Sequence, residues 1–494
     1  MDQLPTLPTD CLNEIIEHLE KDKNTLHSCL LVNRLWCKIS VRILWKDVWD
    51  YKDIYQQRSL GMATSILSTL VACLPNKSKE NLHKNEITIS TPTSKSPLFN
   101  YASFCQVLLI CEIIKMVYNV LRDMPSVNSL SLQDRNCLVT NEIIKMFMNQ
   151  TSLKKLTYMY NYYHCNLSFP YIFGVRNLSE LRCGTNITSD FYYQLSQTCH
   201  NLQSISIEFH SNEVSNELKE LISLQSNLKN LTLLAYYDNG WESIIPTITK
   251  HPNTLTKLHL CSDDDNLSLS FVSLFSNLQE IIFSFLESAD FEDFKMLQFA
   301  KFPNLQILKI PYYCPKPEYI MNFLENNGKN LKNFYISEND RALSLSIANF
   351  CPNLKSLCVA FNNSEIDVLK TIFIGCQYLE RIKVWCGGDY LIVKKVFETV
   401  ANHASNNFCE LKIYNSSNSA FISPEDLELF FVSWKDRTPK KLLTLIGINC
   451  FHYTYNSLVN EENMNIIKKY ENLGIIKFKT RSYYEEGKEE ECCY

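Results

Sequence analysis

A chain of 494 residues is too long for one compact core, so it holds either several domains or a repeat array. With 46% hydrophobic and 20% charged residues and a net charge of −5, it has a soluble protein's composition and no strong basic balance to suggest nucleic acid. Apolar runs such as that from Val107 to Ile114 are too short and too interrupted to span a bilayer, and the opening MDQLPTLPTD lacks a signal segment. The twenty cysteines are therefore expected to be reduced, in a protein of the cytoplasm, the nucleus or both.

The first fifty residues predict three short amphipathic helices. Leu12, Ile15, Ile16 and Leu19 stand at i, i+3, i+4 and i+7, with Thr9 or Asp10 available as a cap. Leu26, Cys29 and Leu30 repeat the pattern, and so do Trp36, Ile39, Ile43 and Leu44. So small a core leaves apolar surface over for a partner.

The order of these residues, from Leu7-Pro8 through Leu12, Ile15-Ile16 and Leu19, then Leu30, Val32-Asn33-Arg34 and Trp36, to Leu44-Trp45 and Val48, resembles the F-box. Cys37 stands where many members of that family carry Arg. The resemblance implies binding to the Skp linker subunit of an SCF-type cullin–RING ubiquitin ligase, through Leu7, Pro8, Leu12, Ile15, Leu30, Val32, Arg34 and Trp36.

Further along, Ile66 to Leu74 reads as a connecting helix and Ser90 to Pro97 as a Ser/Thr/Pro-rich loop, while Cys105, Leu108 and Ile110 suggest a first, degenerate strand. From Val127-Leu130-Leu132 onward, apolar residues recur at i, i+3 and i+5, through Leu153-Leu156-Tyr158 and Leu228-Leu231-Leu233 to Phe408-Leu411-Ile413, with a blurred copy at Leu443 and Leu445 and a last one at Leu473-Ile476-Phe478. Consecutive copies up to Leu379 are 23 to 27 residues apart, and each alternating stretch precedes a helical pattern such as Leu218, Leu221 and Ile222. One strand and one helix per repeat, in L-x-x-L-x-L form, resembles the leucine-rich repeat, and the Cys-x-x-Leu openings at Cys199, Cys351 and Cys376 resemble its cysteine-containing variant.

Asn precedes the first anchor at nine copies, among them Asn277, Asn304, Asn330 and Asn353, and is expected to end each helix in a left-handed conformation. About fourteen strands at roughly 4.8 Å spacing would make a sheet on the order of 65 Å along its arc. The fold class expected is α/β: a leucine-rich-repeat solenoid, with a curved parallel sheet inside and helices outside, behind a small three-helix F-box. The expected domains are 1–50 (F-box), 51–104 (connecting helix and loop), 105–480 (solenoid) and 481–494 (acidic, disordered tail).

No catalytic motif stands out. G-x-S-x-G, H-E-x-x-H, Walker and G-x-G-x-x-G sequences are missing, Gly387-Gly388 reads as a turn, and no Cys-x-x-Cys pair offers a zinc site. Asp263-Asp264-Asp265 reads as a solvated loop rather than a cation site. No enzyme activity, cofactor or metal is expected. The useful surface is the concave one, where period two turns residues i+2, i+4 and i+6 outward. Lys309, Tyr335, Arg381, Lys383, Trp385, Lys412 and Tyr414 are the candidates for holding a substrate, since Tyr, Trp and Arg most often carry binding energy.

Together the two resemblances imply a substrate-recognition adaptor: the F-box joins the Skp linker and the repeats hold a protein for ubiquitination and degradation, as one copy in the complex, with neither nucleic acid nor membrane as partner. The alternative is a leucine-rich-repeat scaffold outside any ligase.

Overall fold

The N-terminal helices begin where polar side chains can satisfy their first backbone N–H groups. In α2 (Lys23–Cys29) Asp22 Oδ1 accepts from the Thr25 N–H at 3.1 Å, and in α3 (Arg34–Leu44) Asn33 Oδ1 accepts from Leu35 and Trp36 at 2.9 and 3.0 Å. α1 (Thr9–Glu17) departs from expectation: Pro8 occupies its N-cap position, and neither Thr9 nor Asp10 caps it. Leu12, Ile16, Leu26, Ile39 and Ile43 form the core of the three helices, with Leu19, Trp36 and Leu44 packed against it.

This computed structural model describes residues 7–49, 57–92, 96–124, 130–149, 153–159, 165, 167, 173–236, 240–263, 268–286, 292–415, 422–438, 441–449 and 458–482. The chain forms two units, Met1–Leu228 and Lys229–Tyr494, which divide inside the repeat array.

In the first unit, α4 (Gln57–Cys73) and α5 (Asn76–Lys84) follow the three helices. The strands are β1 (Val107–Leu109), β2 (Lys155–Tyr158), β3 (Glu180–Gly184) and β4 (Ser204–Phe209), all parallel and paired in chain order. Leu108, Leu156, Leu181 and Ile205 stand in one row across them, each fully buried. Between β1 and β2 run α6 (Ile110–Arg122) and α7 (Leu132–Met148); α8 (Ser189–Ser196) and α9 (Asn216–Ser223) follow β3 and β4. The expected copy at Val127-Leu130-Leu132 is therefore not a strand: Leu132 opens α7, and Val127 lies outside the described residues. The strand expected at Leu108 takes its place in the ladder. The helical end is joined to this unit's sheet, because Trp49 Nε1 donates to the Val107 carbonyl at 2.6 Å and the Gln106 N–H to the Lys46 carbonyl at 2.9 Å.

The second unit carries β5 (Asn230–Ala235), β6 (Lys257–Ser262), β7 (Glu280–Phe285), β8 (Ile307–Ile310), β9 (Asn333–Ile336), β10 (Ser356–Cys358), β11 (Arg381–Cys386), β12 (Glu410–Asn415), β13 (Leu443–Asn449) and β14 (Ile476–Ser482). They too are parallel and paired in chain order. The i+3 anchors Leu231, Leu258, Ile281, Leu308, Phe334, Leu357, Ile382 and Leu411 share one register row. The last copy is displaced. Leu411 aligns with Leu445 and then Phe478, two residues beyond the expected Ile476, and Leu473 is an exposed helix end rather than an anchor. β14 also reaches Ser482, past the expected end of the array at 480; residues 483–494 lie outside the described residues.

Full helices back the later strands: α11 (Pro317–Asn327), α12 (Arg341–Phe350), α13 (Ile366–Gly375), α14 (Val393–His403), α15 (Pro424–Lys435) and α16 (Glu461–Asn472). Earlier in this unit, among the described residues, a four-residue helix, α10 (Ile245–Ile248), and tight 3-10 turns at Glu242–Ile244, Ser270–Leu274 and Glu292–Met296 stand there. Serine competes with helix by bonding local backbone, as Ser273 Oγ does when it donates to the Ser270 carbonyl at 2.7 Å.

The asparagines act differently from expectation. Glu86 is the sole non-glycine residue with positive φ among those described, so none of them is left-handed there. They reach across repeats instead: Asn277 Nδ2 donates to the Asn253 carbonyl, Asn330 to Pro303 and Asn353 to Lys329, at 2.7 to 3.0 Å. The Cys-x-x-Leu thiols do likewise, with Cys199 Sγ donating to the Val175 carbonyl at 3.1 Å and Cys376 Sγ to Cys351 at 3.3 Å. Burial pushes the Cys199 thiol up to about 11 and Cys376 to about 12. Among the described cysteines, Cys137 and Cys165 depart from the reduced set expected, being placed sulfur to sulfur with Cα atoms 5.2 Å apart. Gly387 and Gly388 make the expected turn at φ of +91° and +61°.

Candidate functional site

Two surfaces collect the candidate residues. On the N-terminal helices the eight expected linker contacts separate by depth. Leu12 is buried and Trp36 packs on the same core, so both hold the helices together; Leu30 is half-buried. Leu7, Pro8, Ile15, Val32 and Arg34 are exposed. Two residues that sequence reasoning missed, Leu31 and Leu35, are exposed beside Val32 and Arg34 in the chain. Their signal was the break of helical periodicity after Cys29: Leu30 continues the inner stripe and Leu31 falls off it.

The second surface is the strand face of the second unit opposite the buried anchors. Lys309, Tyr335, Cys358, Lys383 and Lys412 share one register row across β8 to β12. Two residues further along the strands, Trp385 and Tyr414 are register partners, followed by Ile448. The expectation that all seven candidates lie open to solvent fails for three of them: Tyr335, Lys412 and Tyr414 are buried. Large side chains on strands about 4.8 Å apart cover one another. Lys383 Nζ sits 5.6 Å from the centre of the Tyr335 ring, and Trp385 stacks on Tyr414 with centroids 4.8 Å apart and planes within 14°. Trp385, a candidate for holding a substrate, thus already has a partner within the sheet. Tyr414, Ile446 and Ile448 form an apolar cluster on which Trp385 packs.

Lys309, Arg381, Lys383 and Lys412 line one recess of about 270 Å³, with Asn333, Tyr335 and Ser356 supplying neutral polar groups and Glu410 the one carboxylate among its lining residues. Glu280 lies 3.7 Å from Lys309 Nζ and Glu380 lies 3.8 Å from the Arg381 guanidinium. The arrangement can hold an anion beside an apolar group. Among the described residues no group of three His, Cys, Asp or Glu side chains is placed to hold a metal ion, and no helix is long and apolar enough to cross a membrane. Of the acidic triplet, Asp264 and Asp265 lie outside the described residues.

One buried anchor row in each unit, on strands paired in chain order, defines the class of protein: an α/β leucine-rich-repeat solenoid. No protein-family model and no curated protein matches the chain. Among solved structures it is similar to a chain of the yeast Rad7–Elc1 complex, at 13% identity over 97% of this chain and 99% of that one, with a TM-score of 0.40. It is also similar to the leucine-rich-repeat-containing protein LegL7 from Legionella pneumophila, at 11% identity over 66% and 92% of the two chains, with a TM-score of 0.33. A chain of the Drosophila Toll–Spatzle complex aligns at 15% identity over 64% of this chain and 47% of that one, with a TM-score of 0.32. The class rests on the strand register and not on these likenesses.

Proposed function

We propose that this protein is a non-enzymatic substrate-recognition adaptor of an SCF-type ubiquitin ligase, acting in the cytoplasm, the nucleus or both. Its N-terminal helices dock on the Skp linker subunit, and its repeats hold a protein client for ubiquitination. The observation that carries the reading is the apolar surface of the three-helix unit, on its helices and the segments flanking them: Leu31 is 89% exposed, Leu7 58%, Val32 57%, Ile15 49% and Leu35 39%, although the same unit has its own inner core. Such surface on so small a unit points to a docking partner. Ubiquitin transfer would then follow from proximity, which asks no unusual acid or base of this chain.

The test is co-purification of the full chain with the Skp linker. Leu7→Asp, Ile15→Asp and Val32→Asp should each lower capture at least tenfold with the unfolding midpoint unchanged, because none of the three belongs to the inner core. Trp36→Ala is a poorer probe, since it removes core packing. Capture by neither wild type nor variants would favour a repeat scaffold working outside any ligase.

A further inference from the structure

At the C-terminal end of the array the row of first anchors opens to solvent. Ile382, Leu411, Leu445 and Phe478 align across β11 to β14, so the residues three places earlier, Leu379, Phe408, Leu442 and Ile475, continue one another from repeat to repeat. Leu379 and Phe408 are buried, and the Trp434 ring of α15 packs edge-on against Phe408 with centroids 6.1 Å apart. Leu442 is instead 49% exposed, Ile475 is half-buried, and Leu473, just beyond α16, is 57% exposed. An apolar row closed in one repeat and open in the next offers a seat to an apolar group from outside.

Trp434, Leu442, Leu473 and Ile475 line a hollow of about 200 Å³ there, together with Lys435 and Lys441 and with no carboxylate among its lining residues. Sites that enclose a small molecule usually hold roughly 300–1,000 Å³, so this one suits a single side chain. Trp434 Nε1 donates to the Lys441 carbonyl at 3.0 Å, which ties the backbone carrying Lys441 to the helix that ends in Lys435. Both lysines are exposed; Lys441 Nζ donates to the amide oxygen Asn407 Oδ1 at 3.3 Å, and neither has a carboxylate partner among the described residues. Of the acids at the two helix ends, Glu471 accepts from the Phe478 N–H at 2.8 Å through Oε1, and neither it nor Asp436 lines the hollow. What fits is an apolar side chain that brings a carboxylate with it. The last residue of a protein carries both on one Cα, whereas an internal Asp or Glu has its charge on the side chain that would have to enter. A fatty acid sets its carboxylate on an acyl chain longer than a one-residue hollow.

We infer that this hollow captures the C-terminal residue of a protein chain, its apolar side chain beside Leu442 and its α-carboxylate between Lys435 and Lys441. This rests on the reading that the repeats hold a protein client, but not on the docking of the Skp linker. The experiment presents the full chain with an array of peptides that differ in their last residue, each with a free and an amidated C-terminus, and with octanoate as competitor, at constant ionic strength. Peptides ending in Leu, Ile or Phe should be retained at least tenfold above their amidated counterparts and above those ending in Gly, Lys or Asp. Lys435→Gln combined with Lys441→Gln should remove the difference between free and amidated peptides. Leu473→Ser, at an exposed position, should weaken the preference for an apolar last residue while keeping the dependence on the carboxylate, with the unfolding midpoint unchanged in both variants.

Equal retention of free and amidated peptides, or discrimination unchanged in the double lysine variant, overturns the inference. So does binding of octanoate without any preference among the peptides. Linker capture is measured on the same preparations. A chain that captures the linker without discriminating C-termini loses only this inference, whereas one that discriminates them but never captures the linker loses only the ligase reading.

Discussion

Single polar side chains connect the repeats at points where the backbone would otherwise be buried without partners. Gln225, buried just beyond α9, accepts from the Leu202 N–H at 2.9 Å and donates to the Cys199 and Leu221 carbonyls at 2.8 and 2.6 Å. Asn327 repeats the device a few repeats on, accepting from the Phe302 N–H at 2.7 Å and donating to the Ala300 and Phe323 carbonyls. Removing one partner of a buried group costs its desolvation, about 1–3 kcal/mol. Gln225→Ala should therefore lower the stability of the full chain by about that amount in urea unfolding. An unchanged midpoint would mean that the amide contributes no more than water could.

Among elements, α5 and α7 are tied by a carboxylate. Glu142 on α7 is buried and accepts from Asn81 Nδ2 at 3.0 Å and Lys145 Nζ at 3.1 Å. Burial pushes its carboxyl up, but hydrogen bonds from Ser78, Lys145 and Asn81, with the Lys145 charge, outweigh it and hold the group below its ordinary 4.5. The unfolded chain therefore takes up this proton at a higher pH than the folded one. The stabilisation is complete above about pH 4.5 and is lost as pH falls through the lower folded value. Glu142→Gln should flatten the acid side of the stability profile below pH 4.5 relative to wild type, read as unfolding midpoint against pH.

Helices such as α9 and strands such as β5 to β12 were legible because their apolar residues recur with the period of the element. The asparagine bridges were not, because they depend on which backbone a neighbouring repeat presents. The stacking of Trp385 on Tyr414 was hidden for the same reason: side-chain period tells which face a residue takes, while lateral partners follow from register between strands 29 residues apart in sequence.

At the scale of the whole molecule, a stack in which each strand pairs only with its neighbours should fail locally rather than all at once. β10 shares its ladders with β9 and β11, and Leu357, fully buried, stands between Phe334 and Ile382 in the anchor row. A carboxylate in that place loses the roughly 1.5–3 kcal/mol of a buried leucine and adds the cost of an unpaired buried charge. Leu357→Asp should raise amide exchange most in β9, β10 and β11, with protection recovering toward β5 on one side and β14 on the other. Because Lys309, Tyr335, Lys383 and Lys412 are brought together by the ladders on either side of β10, the same variant should also disturb the row they share. Linker capture should persist, since the residues assigned to it stand on α1 and α3 and in their flanking segments, within the first unit. Simultaneous loss of exchange protection in every strand of the second unit would instead make that unit one cooperative body. The recess would then be a property of the unit's overall stability rather than of the local register that aligns its cations.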